Sequence, residues 1–523
     1  MPSGFVIRKN QYYDSIFLMG ISKRISDVSG IQQNAVLMGS ETNKGLLSSI
    51  GIRDAQIDSA QPNDLIVAVT ADTSQIVSDV LNKLDEYLLG GVQIATTSNP
   101  HSLEEGLAQK PYANLAVISV PGEYAAREAR KALEAGLNVF LFSDNVSIED
   151  ELELKQFAAE KKLIVMGPDC GTSLIGGVGI GFANVVRKGS IGAIAAAGTG
   201  LQEFTSQVHN AGFGISHGIG TGGHDLSDQI GGLTTFAALD ALEADPSTKV
   251  IAVISKPPGT KTLARLLERF KNCAKPVIGC FLGAHAEPQN AEGASFHRAS
   301  TIDAAVRFAV QLSGEESVSS EKMFTPEELE WLTREKTAWA SEQKYLRGLF
   351  AGGTFCYQSQ QVLRDANIVV HSNAPLDSKY KLQDSNQSFE HTLVDMGSDE
   401  YTLGKPHPMI DGTLRKQRIL SESRDPQTAI LLLDFILGYN ASMDPVGELL
   451  DAILEAKQTA QKRRGNLTVV ASVCGTEGDP QDLNLQIQLL KDAGVIVFHS
   501  NATAASFCCA LLKQSGECYA IQG

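Results

Sequence analysis

Gly192-Ala193-Ile194-Ala195-Ala196-Ala197-Gly198-Thr199-Gly200 is the stretch on which the fold turns. An apolar run of small residues passes straight into a glycine turn, and helical spacing follows to about Gly212. A strand that enters a helix through glycines is the opening of a parallel α/β unit. Leu346-Arg347-Gly348-Leu349-Phe350-Ala351-Gly352-Gly353-Thr354 repeats it, with Gly353 set on Gly198. Strand-like runs at 250–255 and 276–282 are answered by 430–433 and 468–473. The repeat predicts two copies of one flavodoxin-like domain, 188–315 and 346–523, joined by a helical linker at 316–345. The second copy carries an insertion, roughly 372–418, that the first lacks.

Upstream, a strand at 115–120 meets Pro121-Gly122, a helix at 125–135 ends at Gly136, and strands follow at 139–142 and 163–166. Gly167-Pro168-Asp169-Cys170-Gly171 closes this half of a doubly wound, nucleotide-type, Rossmann-like domain, 106–187. Residues 1–105 hold strands at 34–38 and 64–69 and helices at 14–25 and 73–89, a small α/β domain of ferredoxin-like character. The predicted class is therefore multi-domain α/β.

The chain has 523 residues, 43% of them apolar, and a formal charge of −16. An acidic surface repels a phosphate backbone, so nucleic acid is not an expected partner. No run of about 18 apolar residues occurs and the first ten residues lack a signal-peptide pattern, which points to a cytoplasmic protein with no membrane partner. The eight cysteines form no CxxC pair and lie in or beside apolar runs, as buried reduced thiols do. No metal-ligand set stands out.

Residues 118–137, Met166-Gly167-Pro168-Asp169-Cys170, Gly192-Ala193-Ile194 with Gly198-Thr199, Gly218-Ile219-Gly220 and Lys275-Pro276-Val277 follow one another as in succinyl-CoA synthetase α subunits. The last unit, with Leu431 to Gly438 and Gly475-Thr476, resembles the β subunit's carboxyl domain. Tyr13-Asp14-Ser15, Met38-Gly39, Asp395-Met396-Gly397 and Gly404-Lys405-Pro406-His407-Pro408-Met409-Ile410-Asp411 resemble the FdrA branch of that superfamily. The resemblance implies an acyl-CoA-synthetase-like protein. It also implies, through relatives linked to purine breakdown, a subunit of an oxamate carbamoyltransferase acting on oxalurate and assembling with other subunits or with itself.

Two departures qualify the synthetase reading. No glycine-rich phosphate loop precedes the strand at 115, so CoA is not a secure cofactor. The position of the family's phosphorylated histidine, eleven residues beyond Gly283, is Ala294, and alanine cannot carry a phosphoryl group. His285 and His297 lie nearby.

What remains is electrostatic. Helices opening at Gly198-Thr199-Gly200 and Gly352-Gly353-Thr354 offer free amides and a partial positive charge to phosphate, carbamoyl phosphate or a dicarboxylate-like acceptor. Pro406 and Pro408 stiffen the backbone around His407, with Asp411, Arg415 and Arg418 just beyond. His407 and Asp411 are the expected catalytic pair, and the two arginines the expected anion ligands. The same turns could instead merely connect strand to helix, with His407 bonded to backbone and Asp411 capping a turn. Glu477 and Asp479 read as solvated loop acids, and His224 and Asp225 as further possible contacts.

Overall fold

A computed structural model describes residues 2–11, 13, 15–49, 52–89, 100–283, 295–314, 324–403 and 405–513. The chain forms two compact units, 1–113 with 403–406, and 114–402 with 407–523.

In the first unit β1 (Ser3–Arg8), β2 (Ile31–Met38) and β3 (Leu65–Ala71) form a sheet in the order β1-β3-β2, with β3 antiparallel to both. The helix Ser15–Ser26 connects β1 to β2, giving the split β-α-β of a ferredoxin-like fold. Period-two alternation places Leu65, Val67 and Val69 of β3 in one core and Ile66 and Ala68 in another.

The second unit opens with the parallel strands β4 (Leu115–Ile118), β5 (Asn138–Leu141) and β6 (Val165–Met166). The hairpin of β7 (Thr172–Ile175) and β8 (Val178–Gly181) turns on Gly176 and Gly177, both at positive φ. Two larger sheets follow. β9 (Lys188–Ala195), β10 (Ile215–Gly220), β11 (Val250–Ser255), β12 (Val277–Phe281) and β13 (Phe296–Ala299) run parallel in the order β13-β12-β11-β9-β10, with β7 antiparallel on β10. β14 (Tyr345–Phe350), β15 (His371–Ser372), β16 (Thr392–Asp395), β17 (Thr428–Ile436), β18 (Thr468–Cys474) and β19 (Ile496–Phe498) form an all-parallel sheet in the order β15-β16-β14-β17-β18-β19.

Each sheet has the flavodoxin-like order, so each has a point beside its first strand where successive connections leave in opposite directions. In the first sheet that point lies between β9 and β11, in the second between β14 and β17. β11 and β17 are buried along their whole length because helices cover both faces. The insertion supplies β15 and β16, and so places Asp395 beside the first strand of its sheet.

Side chains join the two sheets. Gln358 Oε1 accepts from Ile302 N–H at 2.9 Å, Gln361 Nε2 donates to Ser300 O at 2.7 Å, and Glu203 Oε1 accepts from Asn501 N–H at 3.1 Å. The seven described cysteines are buried free thiols. Among the described residues no helix is long and apolar enough to cross a membrane.

Candidate functional site

Because β9 and β14 are equivalent strands, their following helices, Gly198–Asn210 and Gly353–Asp365, start from equivalent corners. The two starts abut. A Cβ on Gly200 would lie 3.2 Å from Thr354 Cγ2, and one on Gly352 would lie 3.2 Å from Thr199 Cβ. Neither helix has a side-chain cap. Among the described residues no acceptor takes the N–H of Gly198, Thr199, Gly200, Gly353 or Thr354. Thr354 is 6% exposed, faces Gly200, and its Oγ1 has no partner. Two positive helix ends side by side call for negative charge.

Part of that charge is internal. Asp434, on β17, is fully buried and accepts from Ala351 N–H at 2.8 Å and Gly352 N–H at 2.7 Å. Arg415 donates to Asp434 Oδ1 at 2.8 Å and to the Asp434 and Leu349 carbonyls. A second carboxylate, Asp395 at the end of β16, lies against the start of the 353 helix. Its Oδ2 is 2.7 Å from where a Gly353 Cβ would be. Asn373 clamps the Asp395 backbone on both sides, accepting from its N–H and donating to its carbonyl at 2.9 Å each. Oδ1 accepts from Gly397 N–H at 3.0 Å. Burial pushes this carboxyl up to about 6; Lys256 and the Gly397 amide oppose the rise, and Asp434 and Asp399 add to it.

Lys256 follows β11 in Ser255-Lys256-Pro257-Pro258, at the first sheet's switch point. It is exposed, with its ammonium 5.1 Å from the Tyr357 ring on the 353 helix, and makes no ion pair among the described residues. Its charge acts on Asp395 and on Asp169. Asp169 is exposed to solvent. Desolvation, then Asp144 and Asp399, push it up to about 6, while His224 and Lys256 pull the other way. Sequence reasoning passed over Lys256 and Asp395 as site residues.

The residues expected to carry chemistry divide. His407 packs on Phe182 and its Nδ1 accepts from Met409 N–H at 3.2 Å, leaving the proton on Nε2, which faces Gly397. Burial, then the Arg415 charge, push it down to about 4, so it is neutral at physiological pH. Asp411 Oδ1 accepts from Thr413 N–H at 2.7 Å and caps the turn before the helix Thr413–Arg424. The expectation that Arg415 and Arg418 hold an external anion gives way to internal pairing. Both are buried: Arg415 on Asp434, and Arg418 on Glu422 at 2.5 Å, Ser385 O and Ser388.

Asp479 is not a solvated loop acid; it is buried, and it accepts from Asn184 Nδ2 and Val185 N–H at 2.7 Å each. Glu477 is exposed and pairs with Arg187 and His209. Asp225 is spent on Lys155 and on Thr234 and Thr235. His297, on β13, packs at a tilt against the Phe308 ring. Ala294 and His285 lie outside the described residues.

Residues 349–510 match the CoA-ligase family model, and residues 1–104 match the AllF heavy metal-associated domain. That segment contains no cysteine and one histidine, His101, so soft-metal ligation by thiolates has no donors there. The chain is 42% identical over 507 residues to the uncharacterized protein YahF of Escherichia coli (strain K12), covering 96% of this chain and 97% of that protein. It is 28% identical over 202 residues to the ADP-forming succinate–CoA ligase subunit α of Methanothermobacter thermautotrophicus, covering 38% of this chain and 67% of that subunit. A solved dinucleotide-forming acetyl-coenzyme A synthetase 1 from Ca. Korarchaeum cryptofilum, in complex with phosphate and ADP, is 18% identical with a TM-score of 0.29, covering 84% of this chain and 92% of that one. The likeness to YahF spans nearly the whole of both proteins, and the chain belongs to the acyl-CoA-synthetase-like, FdrA-type family.

Proposed function

We propose that this protein transfers an activated acyl group held as an acyl phosphate, specifically carbamoyl phosphate, by direct attack and without a phosphohistidine. One observation carries the reading: two uncapped helix starts meet, with open amides and the unpartnered hydroxyl of Thr354 between them. Such a corner holds phosphoryl oxygens through backbone donors that need no reorganisation.

In the catabolic direction a phosphate oxygen attacks the carbamoyl carbon of oxalurate. The C–O bond forms, the C–N bond breaks, and the departing oxamate nitrogen takes up a proton. Neutral His407 serves as a donor from Nε2 to the carbonyl oxygen, and Asp411 fixes its loop. Arg415 acts from inside, by holding Asp434 and hence the Gly352 turn.

A second reading is an ADP-forming CoA ligase, favoured by the similarity to the succinate–CoA ligase subunit α. The assays separate the two. The purified chain with its co-purifying subunits is expected to convert oxalurate and phosphate to oxamate and carbamoyl phosphate. A radiolabelled phosphoryl donor is expected to leave the protein unlabelled. Stoichiometric labelling, or acyl-CoA formation that requires ATP and CoA, would establish the ligase reading instead.

A further inference from the structure

We propose that the corner between the two helix starts takes up its oxyanion together with one proton: Lys256 Nζ and the helix-start amides hold the anion's charge, Thr354 Oγ1 binds one of its oxygens, and Asp395 Oδ2 carries the proton that it accepts. The proposal rests on the reading of the helix starts as the phosphoryl site and adds a proton and a cation to it.

Several observations converge. Thr354 Oγ1 is buried without a partner and faces the Gly200 turn, so its hydroxyl lacks a bond that a ligand between the helices would supply. Asp395 is 8% exposed and its Oδ2 has no partner among the described residues, while Oδ1, backbone N–H and backbone carbonyl are all engaged. The open oxygen is therefore fixed beside Gly353, not swung away. Lys256 comes from the opposite sheet, at its switch point, without a carboxylate of its own among the described residues.

An ionised Asp395 beside a bound dianion would be repelled, whereas the acid form donates a short hydrogen bond to it. The charged and titratable groups around Asp395 are Lys256 after β11, Asp434 with Arg415 on the β17 side, Asp399 after β16, Cys356 on the 353 helix, and the neutral His407 against Gly397. Of these Lys256 alone is an unpaired cation, so an arriving anion that engages it removes the main charge favouring the Asp395 carboxylate. Anion binding and protonation of Asp395 thus promote each other.

The test uses the full chain and calorimetry with sulfate, a dianion with no proton to give, in buffers of different ionisation enthalpy at pH 7. Malonate, run beside it, separates a phosphoryl-type ligand from a carboxylate; tighter sulfate binding marks the former. The wild-type protein is expected to take up close to one proton per anion. Lys256→Met is expected to weaken binding about ten-fold, the scale of one charge-assisted contact. Asp395→Asn is expected to keep the binding and lose the proton uptake. Unchanged uptake in Asp395→Asn, or unchanged affinity in Lys256→Met, overturns the proposal while leaving the transfer reading intact. If the wild type binds neither anion, both fall.

Discussion

Replacing Asp434 with alanine should damage the fold in a way that reveals how the 353 helix start is held. The Asp434 carboxylate accepts from Ala351 N–H, Gly352 N–H and Arg415, all within 2.8 Å and all buried. Its removal leaves a buried guanidinium without its paired carboxylate, which costs about 3–5 kcal/mol. Two amides also lose their acceptor. At a urea slope of roughly 3 kcal/mol/M for a unit of this size, the unfolding midpoint should fall by roughly 1–1.7 M. The assay can isolate the right unit. Both tryptophans lie in the second unit, Trp331 against its core and Trp339 donating to Thr468 at 2.9 Å, so tryptophan fluorescence reports that unit alone. The cycle with Arg415→Met is decisive. The double variant has no orphan charge and should lose less than Asp434→Ala alone. Losses in the two single variants that simply add in the double would refute the idea that the pair acts as one device.

Other perturbations probe the same region. Gly353→Ala sets a Cβ 2.7 Å from Asp395 Oδ2, which Asn373 prevents from yielding, so a loss of about 1–3 kcal/mol is expected by chemical denaturation, along with sulfate binding. Burial, then Asp303, push Glu203 up to about 8. The folded state therefore keeps a proton that the unfolded chain releases above its ordinary range near 4.5, and stability falls by up to about 1.4 kcal/mol per pH unit between there and about 8. Glu203→Gln should flatten that slope in denaturation series from pH 5 to 8, and an unchanged slope would exclude Glu203 as its source. His407 and His391 are both pushed down to about 4, chiefly by burial. Their neutral forms contribute stability above about pH 6.5 that is lost as the pH falls toward 4, and their ring proton resonances should stay still down to about pH 5.

The parts of the fold that showed in the sequence are those in which burial and turn chemistry act alone. β11 and β17 are covered on both faces and read as continuous apolar runs, and the two glycine turns are visible because a strand can enter a helix there at close quarters. β10 was hidden behind its glycines. Its Gly220 reads as loop, yet it is there because a Cβ would meet Thr172 O at 2.3 Å and Cys170 Sγ at 2.4 Å. The β7–β8 hairpin was equally silent, since two four-residue strands around a glycine pair leave no alternation to count. At the site, helix starts and His407 could be found from local pattern. Nothing local distinguishes Arg415 as an internal counter-ion from Arg415 as an anion ligand. Lys256 and Asp395 acquire meaning only when two distant strand ends are brought together.

Under the proposed reading, that juxtaposition is what would let the chain work without an imidazole nucleophile. A phosphorylated side chain stores a phosphoryl group between two half-reactions, and it is needed only if donor and acceptor cannot be bound at once. In that reading the donor's oxygens would meet a corner with, among the described residues, five open amides and one unpartnered hydroxyl, with Lys256 from one sheet and Asp395 from the other at its edge. The same reading sets the neutral His407, whose Nε2 faces Gly397, to hold the carbonyl substrate beside that phosphate. Direct transfer then requires no stored intermediate, and most of its barrier reduction comes from orientation and fixed dipoles. Such a site should be more sensitive to the placement of its glycines than to any single side chain. Thr354→Val, which keeps the shape and removes one donor, should therefore cost about ten-fold in turnover, whereas Gly200→Val, which drives a side chain into the corner, should abolish it; the reverse order, measured on the reconstituted complex, would mean that the corner only connects strand to helix.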